Sequence, residues 1–84
     1  MSADFHGRQA VVLGLGLTGY TLARWLASHG ASVRVADTRA APPYAERLAR
    51  ERPDIPIETG PFTASTFAGA ETIVVCDPVE ARRG

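Results

Sequence analysis

The residues that most constrain this chain are Gly14-Leu15-Gly16-Leu17-Thr18-Gly19, a G-x-G-x-x-G wedged between an apolar run and a helical repeat. Before it, Gln9 to Leu13 reads QAVVL, the unbroken apolar pattern of a parallel strand covered on both faces. After it, Leu22, Ala23, Leu26 and Ala27 share one stripe of a helix predicted for Thr18 to His29, with Trp25 at the stripe's edge. Each glycine has a distinct use in such a junction. Gly14 permits a tight turn, Gly16 lets the backbone come close to a phosphate, and Gly19 lets the helix pack against the strand. Amide groups at the helix start then face any anion placed there, and the helix dipole adds to their field.

The same alternation continues downstream. Gly30 suits the left-handed conformation that ends a helix. Ala31 to Asp37 (ASVRVAD) alternates Val33 and Val35 with Arg34 and Ala36, which predicts a second strand. Ala41, Pro42 and Pro43 break the chain, and Pro43 suits the first turn of a helix over Tyr44 to Arg52. Tyr44, Ala45, Leu48 and Ala49 are its expected inner face, and Pro53 stops it. Ile55 to Thr59 is a third strand, expected at a sheet edge because Pro56 cannot donate to a ladder. Thr63 is placed to cap a single helical turn through Ala68, ended by Gly69. Thr72 to Cys76 (TIVVC) is again a continuous apolar run and the fourth strand. This βαβαβαβ pattern predicts an α/β, Rossmann-like parallel sheet of about four strands in order 3-2-1-4 with flanking helices. The tail, Val79 to Gly84, is polar and stops where a further helix and strand are expected. The expectation is therefore one truncated domain over residues 1–84.

Composition narrows the function classes. At 84 residues the chain holds one small domain, which buries only about 60–65% of its unfolded surface. Nine basic residues balance nine acidic ones, removing the usual electrostatic reason to expect nucleic acid or an anionic membrane. All nine basic residues are Arg, so a P-loop lysine or a Schiff-base lysine is excluded. Cys76 is the sole cysteine, which rules out an internal disulfide and suits a reducing compartment. No apolar run approaches the ~20 residues of a membrane span, and Met1 to Gly7 has no signal-peptide character. A neutral, cytoplasmic domain is expected, without nucleic-acid or membrane partners.

Asp37 ends the second strand 18 residues after Gly19, close to the ~20 expected of a ribose-binding carboxylate. The alternative is that the glycines serve helix–strand packing alone and Asp37 caps a loop. Thr38 and Arg39 follow at the carboxyl end of the strand, where ligands bind in open α/β sheets. An Arg fork there can bridge phosphates or lie flat on a base, and otherwise it is a solvated loop residue. His6 and His29 lack metal-ligand spacing, and His29 is expected to offset the dipole at a helix end. Cys76 is expected to be a small buried residue closing its strand. Trp25 is expected to pack rather than stack on a ligand. Tyr44, Arg47 and Arg50 read as an ordinary helix. No nucleophile–base–acid set is visible, so neither a catalytic residue nor a metal site is expected.

Taken together, GLGLTG at Gly14–Gly19, Asp37-Thr38-Arg39 and the following Pro42-Pro43 resemble the opening of the bacterial Mur ligases, most nearly their D-glutamate-adding branch. The likeness runs from about Gly7 to Val75. It implies a three-domain cytoplasmic enzyme of peptidoglycan, hence cell-wall, synthesis. In that family the first domain holds the UDP end of the substrate, here UDP-N-acetylmuramoyl-L-alanine, the central domain binds ATP with Mg, and the last completes the amino-acid site. The implied reaction forms an acyl phosphate from ATP, which D-glutamate attacks to give an amide. By the resemblance Gly14, Gly16, Leu17, Thr18 and Gly19 meet the pyrophosphate, and Asp37, Thr38 and Arg39 meet uracil and ribose. The implied partners are that substrate and the central and C-terminal domains of a monomeric enzyme.

The chain also departs from the family. Its fourth strand runs into Cys76-Asp77-Pro78 where the family usually has Ser-Pro-Gly, whose glycine approaches the ligand. The family's ATP loop and its carbamylated lysine are absent, so the chain alone is expected to hold no cofactor and to be inactive. Two other readings share the G-x-G-x-x-G and the acid on strand two. One is the NAD-binding half of an oxidoreductase, and the other is a regulatory nucleotide-binding module.

Overall fold

A computed structural model of the chain describes residues 6–76. Its elements are β1 (Gln9–Leu13), α1 (Leu17–Ser28), β2 (Ser32–Asp37), α2 (Ala45–Glu51), β3 (Ile57–Thr59), a 3-10 turn (Ala64–Phe67) and β4 (Thr72–Val75). The four strands form one sheet in the order β3-β2-β1-β4, and every pair is parallel. This is the Rossmann-like arrangement expected from the alternation of periods. β1 lies inside the sheet, with Val12 paired to Val35 on one side and Val74 on the other. Ala10, Val11 and Val12 are buried, which is why that run shows no polar alternation.

The core gathers Val12, Leu15, Ala23, Leu26, Val35 and Leu48 between the sheet and its helices. On α1 the buried stripe is Tyr20, Ala23 and Leu26, while Leu22 and Ala27 are half-buried and Trp25 is exposed. Tyr20 ties the two helices together. Its ring stacks on Tyr44 at 5.0 Å, and its hydroxyl donates to Glu51 Oε1. Arg24 donates to the same hydroxyl at 3.2 Å, and Arg47 donates to Glu51 Oε2 at 3.2 Å.

Several boundaries differ from the sequence expectation for local reasons. α2 is one residue shorter at each end, with Tyr44 as its N-cap residue, Arg52 as its C-cap residue and Ala49 exposed rather than inward. β3 begins after Pro56, whose carbonyl accepts the Val35 N–H at 3.0 Å, so the missing proline donor costs the ladder nothing. Ile55 is instead a buried core residue. Thr63 does precede a single turn, and its N–H donates to Thr66 Oγ1 at 2.9 Å. β4 departs most: its run is apolar throughout, yet Ile73 and Val75 are 48% and 67% exposed on this edge strand. The tail Val79–Gly84 and the pair Asp77-Pro78 lie outside the described residues. Among the described residues no helix is long and apolar enough to cross a membrane.

Candidate functional site

The carboxyl ends of β1 and β2 carry the glycine loop and Asp37 side by side, since Leu13 pairs with Ala36 in the register. Gly14 has φ +102°, the left-handed region where a side chain is strained, and its N–H closes the turn onto the Ala36 carbonyl at 2.8 Å. Leu15 turns its side chain fully into the core. Its carbonyl accepts the Tyr44 N–H at 3.3 Å, so the loop is pinned from the α2 side as well.

Gly16 and Gly19 differ in kind. A Cβ on Gly19 would stand 1.9 Å from the Gly14 carbonyl oxygen, so the fold itself requires glycine there. Gly16 is the N-cap residue of α1, with extended backbone at φ −94° and ψ −159°, and a Cβ on it would meet nothing within 4 Å. No side chain caps α1, and its first turn carries no acid. Leu17 and Thr18 lie exposed in that turn, where backbone N–H groups have no partner inside the helix. The arrangement is a rigid loop presenting backbone amides and a helix dipole to solvent, suited to an anion.

Asp37 is only 3% exposed and joins this loop to the residues after β2. Its Oδ2 accepts the Leu15 N–H at 2.7 Å and Arg39 Nη2 at 2.6 Å, while Oδ1 accepts the Arg39 N–H at 2.8 Å and Nε at 2.9 Å. Burial pushes the carboxyl up, but the Arg39 side chain and the Leu15 and Arg39 amides outweigh it and hold it at about 2. Arg39 is therefore folded back on Asp37, half-exposed, with Thr38 exposed beside it.

The structure thus brings Gly14, Gly16, Leu17, Thr18 and Gly19 together with Asp37, Thr38 and Arg39 at one end of the sheet. Other singled-out residues lie elsewhere. Arg47 pairs with Glu51 on α2, and His29 Nδ1 bonds the Trp25 carbonyl at 2.8 Å at the far end of α1. The Trp25 ring stacks on His29 at 4.0 Å. Cys76 is half-buried rather than buried, its N–H donates to the Leu13 carbonyl at 2.7 Å, and burial pushes its thiol up. Among the described residues no three His, Cys, Asp or Glu side chains gather as a metal ion requires. Leu15 and Tyr44 were missed as parts of the site. Leu15 occupies a variable position of the motif, and Tyr44 contributes through its backbone, so neither leaves a side-chain signal.

Residues 8–82 match the family model described as Mur ligase MurD-like, N-terminal domain. The UDP-N-acetylmuramoylalanine–D-glutamate ligase of Thiobacillus denitrificans is 54% identical over 72 residues, covering 86% of this chain and 15% of that protein. The protein of the same name from Chromobacterium violaceum is 52% identical over 75 residues, covering 86% and 16%. The one from Burkholderia ambifaria is 44% identical over 78 residues, covering 93% and 16%. The chain thus spans about one-sixth of the length of these relatives. Among solved structures, SirC, a precorrin-2 dehydrogenase, superposes with a TM-score of 0.71 at 18% identity, over 96% of this chain and 40% of that one. At that identity it speaks to the fold alone.

Proposed function

The chain belongs to the Mur ligase MurD-like N-terminal domain family, and from that premise we propose that it holds the UDP end of UDP-N-acetylmuramoyl-L-alanine. Its parent is then an ATP-dependent, D-glutamate-adding ligase of peptidoglycan synthesis, acting in the cytoplasm. The observation that carries this reading is Gly16. The fold leaves room for a side chain there, and Ser, Asn or Asp would cap α1 better than glycine by a few tenths of a kcal/mol. A glycine against the helix's own interest is accounted for by a phosphate that needs to approach the backbone. In this reading the pyrophosphate lies on the amides at Leu17 and Thr18, and the uridine lies toward Thr38 and Arg39.

Among the described residues no group fits ATP and Mg. The chain contains no lysine to reach a nucleotide's terminal phosphates, and no acidic cluster among the described residues to hold the metal. The proposal assigns them to the central domain, with the acyl phosphate formed there and D-glutamate held by the last domain. This chain's part is to anchor the nucleotide so that the muramoyl-alanine carboxyl reaches the other domains. Amide resonances of the labelled chain, titrated with UDP and with a UDP-sugar, test the reading. Shifts are expected at Gly14–Gly19 and Thr38–Arg39. Their absence at millimolar ligand, or shifts confined to residues near Arg52, would overturn it.

A further inference from the structure

Asp37 stands where dinucleotide-binding sheets of this topology place the acid that takes ribose hydroxyls. An ionised carboxylate offers about four lone-pair positions on its two oxygens. Four donors of this chain occupy them: two on Oδ1, from the N–H and Nε of Arg39, and two on Oδ2, from the Leu15 N–H and Arg39 Nη2. A ribose diol brought to this carboxylate therefore meets a saturated acceptor. To bond it, the diol must displace a guanidinium held in a charge-assisted, two-pronged pair, which is stronger than neutral hydrogen bonds.

We infer that Arg39 is a specificity-determining residue whose seat on Asp37 closes the site to nucleotides bound through their ribose diol, nicotinamide adenine dinucleotides among them. The loop stays open to a nucleoside diphosphate held by its phosphates, and this part of the inference rests on the function proposed above. The geometry also says what relieves the block. Two of the four donors are backbone groups, one on each oxygen, and they remain when the Arg39 side chain is removed. That removal frees one position on each oxygen, which is the number two adjacent hydroxyls need. The backbone bond from Leu15 still holds the glycine loop in place.

The test compares ADP with 2′-deoxy-ADP on the wild-type chain, Arg39→Ala and Arg39→Met, by amide chemical shifts. Because both ligands carry the same phosphates, their ratio cancels the loss of one cation beside them. The Met variant keeps a long side chain for packing while supplying no donor. Wild type is expected to show no preference between the two nucleotides. Each variant should prefer ADP by about tenfold or more, as a hydrogen bond to a charged acceptor warrants, and should gain binding of NAD. Folded variants that bind ADP and 2′-deoxy-ADP alike would overturn the inference, as would a wild-type chain that already prefers ADP. UDP titration of wild type reports separately on the proposed function. If UDP fails to bind, that reading falls and the variants' diol preference stands. If UDP binds and the preference is absent, the reverse holds.

Discussion

Replacing Gly16 by Ser and Gly19 by Ala separates what the fold needs from what a ligand needs. Ala ordinarily stabilises a helix interior by about 1 kcal/mol over Gly. At Gly19 the added Cβ would lie 1.9 Å from the Gly14 carbonyl oxygen and 3.5 Å from Val12 Cγ1. α1 must then move off β1 by roughly an ångström, since over-packed contacts relax only by backbone shifts costing about 1–3 kcal/mol and occasionally more. Backbone against backbone is the stiff end of that range, so a net loss near 2 kcal/mol is expected. A chain of this size holds only about 4–13 kcal/mol in all, and the loss lowers Tm by roughly 8–16 °C. At Gly16 the backbone is already extended and nothing lies within 4 Å of a Cβ. Ser gains a few tenths of a kcal/mol as an N-cap, and about 0.4–1 kcal/mol from a less flexible unfolded chain. Gly16→Ser should therefore raise stability by about 0.5–1 kcal/mol while weakening UDP at least about tenfold through its obstructing side chain. Urea unfolding followed by far-UV circular dichroism, with UDP titrations beside it, measures both. A Gly16→Ser chain less stable than wild type would refute the claim of open space. One that keeps its UDP affinity would refute the claim that the glycine serves a ligand.

Asp37 and Tyr20 carry two further expectations. Because the Asp37 carboxyl is lowered from 3.8 to about 2 in the folded chain, its stabilisation is complete above about pH 4 and is lost as pH falls through 2. Discounted for the solvent reaching half-exposed Arg39, it amounts to roughly 1–2 kcal/mol. Asp37→Asn should reduce the stability change in that window by about that amount, leaving the share of Glu51 and Asp54, whose carboxyls are also lowered. Urea midpoints from pH 2 to 5 that fall equally in both chains would contradict this. The Tyr20 hydroxyl, then Arg47, hold the Glu51 carboxyl below the ordinary glutamate range. Tyr20→Phe should let it rise, read from side-chain carboxyl carbon shifts, and an unmoved titration would show that the hydroxyl is not its donor.

What was legible in the sequence follows the strength of each local signal. β1 sits in the sheet interior with both faces covered, so QAVVL was unbroken and its position was readable. Gly14 and Gly19 were readable because a positive φ and a backbone clash each leave glycine alone as the answer. Tyr20 was not, since an aromatic ring with a hydroxyl suits core and surface alike until Tyr44 and Glu51 arrive from α2, 24 and 31 residues away. The exposure of Ile73 and Val75 was equally hidden, because an apolar run reports what a strand can bury and not what covers it. Asp37 was found but half understood. Spacing marked it as an acid at the end of β2, whereas the direction of its carboxylate depends on the Leu15 amide and the Arg39 fork.

That direction changes how the two motifs relate. GLGLTG and Asp37-Thr38-Arg39 read in the sequence as two separate contacts to one ligand. In the fold they are one assembly, because the Leu15 amide in the middle of the glycine loop ends on Asp37, and Arg39 ends on the same carboxylate. The Gly14 turn onto Ala36 and the Tyr44 amide on Leu15 hold the loop from its other sides. A loop fixed at these points has little backbone freedom left to lose when an anion binds, which lowers the entropic cost of association. On the function proposed above, Asp37 serves the binding surface from behind, by fixing the loop and seating the guanidinium, while the first-turn amides at Leu17 and Thr18 would meet the pyrophosphate.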